Sequence, residues 1–168
     1  MKQVLLMRHA KSSWADGGIT DFERPLNKRG KRVAPNMAKY LASQQAAPEL
    51  IISSPAARAA ATANMVSEAI AESEPIPIRY EPNLYHAPAQ EYLRVLATAD
   101  LGEISRLMFV GHNPGLEDLV ESLTGKWEIL PTAAIVQLEF EASSWNEISL
   151  CCDCKMLNIW RPKEVGID

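Results

Sequence analysis

Hydrophobic and polar positions along the chain fall into a few distinct rhythms. Val4-Leu5-Leu6-Met7 is an unbroken apolar run that stops at Arg8-His9. Such runs read as strands covered on both faces, so residues 3 to 9 are predicted as a central strand with Arg8 and His9 at its carboxyl end. Leu50-Ile51-Ile52-Ser53 and Leu107-Met108-Phe109-Val110-Gly111 repeat the pattern. Leu26 to Ser43 has helical spacing instead, with Val33, Met37, Tyr40 and Leu41 on one face and Pro35 as a candidate kink. Ser54-Pro55 predicts a helix running to about Ala71, with Ser54 as N-cap and Pro55 at the first helical position. Asn113-Pro114 does the same for a helix ending near Leu123. Between them, Ile76 to Tyr80 reads as extended, Glu81 to Pro88 as a loop and Ala89 to Ala99 as a helix. Ala134 to Phe140 and Ile148 to Trp160 are predicted as two closing strands, paired as a hairpin around Ser143 to Asn146.

Strands alternating with helices define an α/β protein. The expected architecture is a three-layer α/β/α sandwich around a mixed, mostly parallel central sheet. The chain has 168 residues, 47% hydrophobic and 23% charged, which suits one domain spanning 1–168. No apolar run approaches the roughly 20 residues of a membrane helix, and Met1-Lys2-Gln3 leads straight into the first strand without a signal-like segment. A cytoplasmic protein that does not bind membranes is the expectation. Cys151, Cys152 and Cys154 are odd in number and crowded, so they read as reduced strand residues rather than a disulfide framework or a zinc site. A formal net charge of −4 argues against general nucleic-acid binding and confines any positive potential to a local patch. The four tryptophans, Trp14, Trp127, Trp145 and Trp160, read as packing residues.

In open α/β sheets, ligands gather beyond the carboxyl ends of strands. Three polar motifs take such positions: Arg8-His9, Ser53-Ser54-Pro55-Ala56-Ala57-Arg58, and Gly111-His112-Asn113-Pro114-Gly115. Two arginines, two histidines and two helix amino ends converging on one crevice would make an anion site suited to a phosphoryl group. A neutral imidazole can accept such a group on nitrogen, and neighbouring arginines disfavour its protonated form. Gly111 lets another group approach the backbone closely.

These residues resemble the histidine phosphatase superfamily, and within it the short bacterial phosphohistidine phosphatases of the SixA type. The matching blocks are Arg8-His9-Ala10-Lys11-Ser12-Ser13-Trp14, Asp21 with Arg24-Pro25-Leu26 and Arg29-Gly30, Ser54-Pro55-Ala56 with Arg58 and Thr62-Ala63, Leu84-Tyr85, Val110 to Leu116, and Pro131-Thr132, in the family's order. The resemblance implies a phosphoglycerate mutase-like fold and a two-step hydrolysis. His9 would take the phosphoryl group as nucleophile, and Arg8, Arg58, His112 and Ser12 would bind it. Neither metal nor cofactor is implied.

Larger relatives place a glutamate shortly after the position of Leu84 as acid toward an alcohol leaving group, and here the nearest matching place holds His86. Candidates for a residual acid are His86, Asp16 and Asp21. A phosphohistidine leaves as an imidazole that protonates near neutral pH, so a weak acid is tolerable there. The expected substrate is a phosphohistidine-bearing protein such as a phosphotransfer domain. A small phosphorylated metabolite hydrolysed by a phosphomonoesterase or mutase, and a non-catalytic phosphoprotein-binding module, are the alternatives.

Overall fold

The structure is a computed structural model describing residues 1–15, 17–71 and 73–168. Its strands are β1 (Lys2–Arg8), β2 (Leu50–Ser53), β3 (Ile78–Tyr80), β4 (Arg106–Gly111), β5 (Ile135–Phe140) and β6 (Cys154–Trp160). They form one sheet in the order β3-β2-β4-β1-β5-β6. The first four of these neighbours run parallel, while β5 is antiparallel to β1 and β6 to β5. The sheet is therefore mixed, with the apolar run of residues 4–7 at its centre.

Alternation along the strands sorts side chains to two faces. Val4, Leu6, Ile52, Leu107, Phe109 and Val136 pack under α3 (Ala89–Thr98) and α4 (Gly115–Thr124), where Tyr92, Val95, Leu116 and Leu119 meet them. Leu5, Met7, Ile51, Met108, Val110 and Ile135 face the other way. There they meet Val33, Met37 and Leu41 of α1 (Lys28–Ser43) and Ala59, Ala63 and Val66 of α2 (Ala57–Ile70). Two apolar layers on one sheet give the expected α/β/α sandwich. Pro35 lies inside α1, whose predicted apolar face is buried except for the partly exposed Tyr40. Tyr40 makes an edge contact with Trp160, ring centroids 6.4 Å apart.

The helix starts differ from expectation. Asn27 caps α1 by accepting from Gly30 N–H at 2.8 Å, but α2 begins at Ala57 and α4 at Gly115. Neither Ser54 nor Asn113 is the N-cap. Their side chains are spent elsewhere, Ser54 on His112 and Asn113 on the Leu130 carbonyl. Residues 148–153 are not strand; a short 3-10 turn (Trp145–Glu147) and a further turn precede β6. Cys151 and Cys152 thus lie before the strand and only Cys154 begins it, all three as free thiols. Trp145 and Trp160 are buried, whereas Trp14 and Trp127 are exposed. Among the described residues no helix is long and apolar enough to cross a membrane.

Candidate active site

Strand register brings the three motifs to one edge. Arg8 pairs with Gly111, and Ser53 with Val110. The ladder continues one residue further, His9 N–H donating to the Gly111 carbonyl and Ser54 N–H to that of Val110, both at 3.0 Å. His9, Ser54 and His112 therefore emerge side by side where the strands end. The Ala133 N–H closes the β5 side on the carbonyls of Arg8 and His9.

His9 is buried, and its Nδ1 lies 2.8 Å from the Ala10 carbonyl. A carbonyl only accepts, so Nδ1 carries the proton and Nε2 carries the lone pair. Arg58 Nε donates to that Nε2 at 3.2 Å. Burial is the largest influence lowering the His9 pKa to about 4; Ala10 pulls against it, and Arg58, Arg8 and Arg24 add to the fall. The depression expected from neighbouring cations is present, yet the loss of water weighs more than the cations do.

The His112 ring lies beside His9, centroids 5.2 Å apart. Its Nε2 is 2.8 Å from Ser54 Oγ, and Ala56 N–H donates to the same Oγ at 3.3 Å. With the hydroxyl proton of Ser54 directed at Nε2, Nδ1 is the N–H of His112. That Nδ1 is buried and has no hydrogen-bond partner among the described residues, as is true of Arg8 Nε and Arg24 Nε. Burial first, then His9, Arg58 and His86, lowers the His112 pKa to about 3 against an opposing pull from Asp21.

Arg58 is the second residue of α2 and only 2% exposed. Its Nη1 donates to the Asp21 carbonyl at 2.6 Å and its Nη2 to Asp21 Oδ2 at 3.1 Å. Tyr85 donates to that same oxygen at 2.8 Å, His86 Nε2 lies 3.3 Å from it, and Arg24 Nη2 lies 3.4 Å from Oδ1. Burial raises the Asp21 carboxyl, but Tyr85, Arg58 and Arg24 outweigh it and hold the group below the usual carboxylate range. Asp21 is thereby an ion-pair hub, not a ready proton donor. Arg8 is anchored by Nη1 to the Leu130 carbonyl at 2.9 Å. Thr62 ties α2 to the strand end, donating to the Arg58 carbonyl at 2.7 Å and accepting from Ala10 N–H at 3.0 Å.

The structure thus brings together Arg8, His9, Arg58 and His112, with Asp21 and His86 at the edge. Ser12 is buried and bridges Leu26 through its backbone, with no hydrogen bond to the other four among the described residues. Asp16 lies outside the described residues. Arg24, which the sequence placed in a block with Asp21 but not among the phosphate ligands, pairs with Asp21 at the site, and Ser54 as the partner of His112 was missed. The turn Thr20–Arg24 folds over the start of α2, where Ala57 N–H donates to the Phe22 carbonyl at 2.9 Å. One of the two helix amino ends expected at the crevice is thus covered by residue 22.

A neutral imidazole among three guanidinium groups, at the carboxyl edge of an α/β/α sheet, defines a protein built to handle phosphoryl groups. The profile of the histidine phosphatase superfamily (branch 1) matches residues 4–88. A chloroplast protein of Arabidopsis thaliana is 31% identical over 152 residues, spanning 87% of this chain and 70% of that one. The chain belongs to the histidine phosphatase superfamily. Among solved structures, SixA of Agrobacterium tumefaciens superposes with a TM-score of 0.80 at 30% identity, covering 96% of this chain and 98% of its own. The protein histidine phosphatase SixA complexed with tungstate matches at 0.80 and 22% identity, covering 97% and 99%. These likenesses support a phosphatase with the SixA fold, and the relatives are not confined to bacteria.

Proposed function

We propose that the protein is a metal-independent phosphohistidine phosphatase acting through a phosphohistidine enzyme intermediate. The observation that carries this reading is the His9 imidazole, whose proton is committed to the Ala10 carbonyl and whose Nε2 lone pair accepts only from Arg58 Nε among the described residues, a bond that an incoming phosphoryl group would displace as the guanidinium turns to its oxygens. In the first step Nε2 forms a bond to phosphorus as the bond from phosphorus to the substrate nitrogen breaks. That nitrogen keeps the electron pair and takes a proton from solvent. In the second step water attacks phosphorus, the pair returns to Nε2 and phosphate leaves. Arg8, Arg58 and His112, through its Nδ1–H, would hold the phosphoryl oxygens, with Arg24 as a further cation. Positioning and charge stabilisation of this kind supply most of the catalysis in phosphoryl transfer.

The choice of substrate rests on the weakness of the available acid. Asp21 is held ionised among its cations, which suits a leaving imidazole better than an alkoxide. Solved SixA structures named for phosphohistidine agree with that reading. Phosphate release is measured from a phosphohistidine-bearing phosphotransfer domain and, in parallel, from phosphomonoesters, both without divalent metal. Fast release from phosphohistidine is expected, with His9→Ala folded and inert. Release mainly from esters would replace the phosphohistidine reading with a metabolite phosphatase, and phosphate binding without turnover would make the protein a binding module.

A further inference from the structure

Beyond His112 the site opens along a chain of rings that phosphoryl chemistry does not require. The Tyr85 and His86 rings lie 5.8 and 5.9 Å from that of His112, and 4.1 Å from one another. Phe22 stands edge-on to Tyr85 at 5.0 Å. Counting His9 to His112 at 5.2 Å, rings run without a gap from the nucleophile to the surface. Phe22 is 39% exposed and His86 is exposed as well. His86 has φ 53°, a left-handed conformation that His adopts more readily than most residues, and its ring stands beside Asp21. Two separate turns, Thr20–Arg24 and Pro82–His86, contribute to this one wall.

In an in-line transfer the leaving group lies on the side of phosphorus remote from the attacking atom. A phosphoryl group held between His9 and the arginines would direct its leaving group outward past His112, onto these rings. The geometry points to Phe22, Tyr85 and His86 as a leaving-group subsite for a planar aromatic ring, the imidazole of the substrate phosphohistidine. This rests on the phosphohistidine reading above and adds a selection rule: ring-bearing phosphoramidates are preferred to aliphatic or ringless ones. Stacked and edge-on ring pairs favour offset or T-shaped contacts, and the Phe22–Tyr85 pair leaves such partners for an incoming ring.

The test compares kcat/KM for phosphoimidazole with kcat/KM for unsubstituted phosphoramidate, in the unaltered protein, Phe22→Leu and Phe22→Tyr. Phe22→Leu keeps apolar bulk and removes the ring. The preference for phosphoimidazole is expected to fall about five- to tenfold in Phe22→Leu and to return in Phe22→Tyr. A ratio that does not move, or that Phe22→Leu and Phe22→Tyr reduce alike, would overturn the subsite. The same ratio taken for phenyl phosphate against methyl phosphate reads the wall if only esters are turned over. Failure of the phosphohistidine reading and failure of this proposal are thereby told apart, and turnover of no substrate at all overturns both.

Discussion

Arg58 Nε donates to His9 Nε2 at 3.2 Å, so the nitrogen proposed as nucleophile is held by the same guanidinium whose far side is clamped on Asp21. One planar group holds the His9 ring in place through Nε2 and supplies charge beside it, and it would release that bond when phosphorus takes the lone pair. A Lys at this position would offer a point charge without the fork. In Arg58→Lys, kcat is expected to fall about a hundredfold or more while the fold is retained. Steady-state kinetics with circular dichroism checks this, and near-normal kcat would remove Arg58 from the site.

Acid should affect stability long before it affects the nucleophile. The folded pKa values of His9 and His112 are lowered to about 4 and about 3, whereas unfolded histidines titrate near 6.5. Between those values the unfolded chain binds more protons, so stability is full above about pH 7 and is lost as pH falls through the unfolded pKa toward the folded ones. For two groups the loss between pH 7 and pH 5 is about 3–4 kcal/mol. Urea unfolding at the two pH values reads it directly, and His112→Asn should remove about half.

The acid limb of kcat/KM, by the same shift, should fall near pH 4 and not near 6.5. His9 is already neutral through the mildly acidic range, so no activity is lost there by protonating it. A limb centred near 6.5 that persists in His86→Asn would show that His9 is not held neutral.

Ser54→Ala would strip His112 Nε2 of its hydroxyl partner and leave a buried imidazole nitrogen unpaired. The expected cost is about 1–3 kcal/mol of stability, together with a fall of about tenfold in kcat as the ring loses its tautomer and orientation. Ser54→Thr, which keeps the hydroxyl, should restore most of the rate.

A Cβ at Gly111 would lie 2.1 Å from the Tyr92 hydroxyl and 3.1 Å from its Cζ. Gly111→Ala should therefore destabilise by about 1–3 kcal/mol. Tyr92→Phe removes the first clash, so the double variant should be less destabilised than the sum of the two single changes. Thermal unfolding of all four proteins measures this coupling, and strict additivity would contradict the contact.

The strands were legible because their side chains obey one rule: Val4 to Met7, Ile51-Ile52 and Leu107 to Val110 are apolar on both faces and buried on both. The convergence of Arg8, Arg58 and His112 followed from their places after those strands. What the pattern concealed was where cap-type residues spend their hydrogen bonds. Ser54 and Asn113 suit N-caps, yet tertiary partners claim both and the helices start later. Arg24 was hidden for a related reason. Nothing local shows that its turn folds back over α2, because the bonds that hold it there, Ala57 N–H to the Phe22 carbonyl and Arg58 to Asp21, join residues far apart in the chain.

The site is divided in its construction. His9, Ser54 and His112 stand one residue beyond paired strands, on backbone hydrogen bonds shared by β1, β2 and β4. Such amides belong to the part of a protein that exchanges hydrogen last. Phe22, Tyr85 and His86 stand on two turns that join no strand ladder. The half proposed to grip phosphate is thus as durable as the centre of the sheet, and the half proposed to meet the rest of the substrate could change at little cost to the fold. New substrates would be acquired through those two turns, with the chemistry carried over intact.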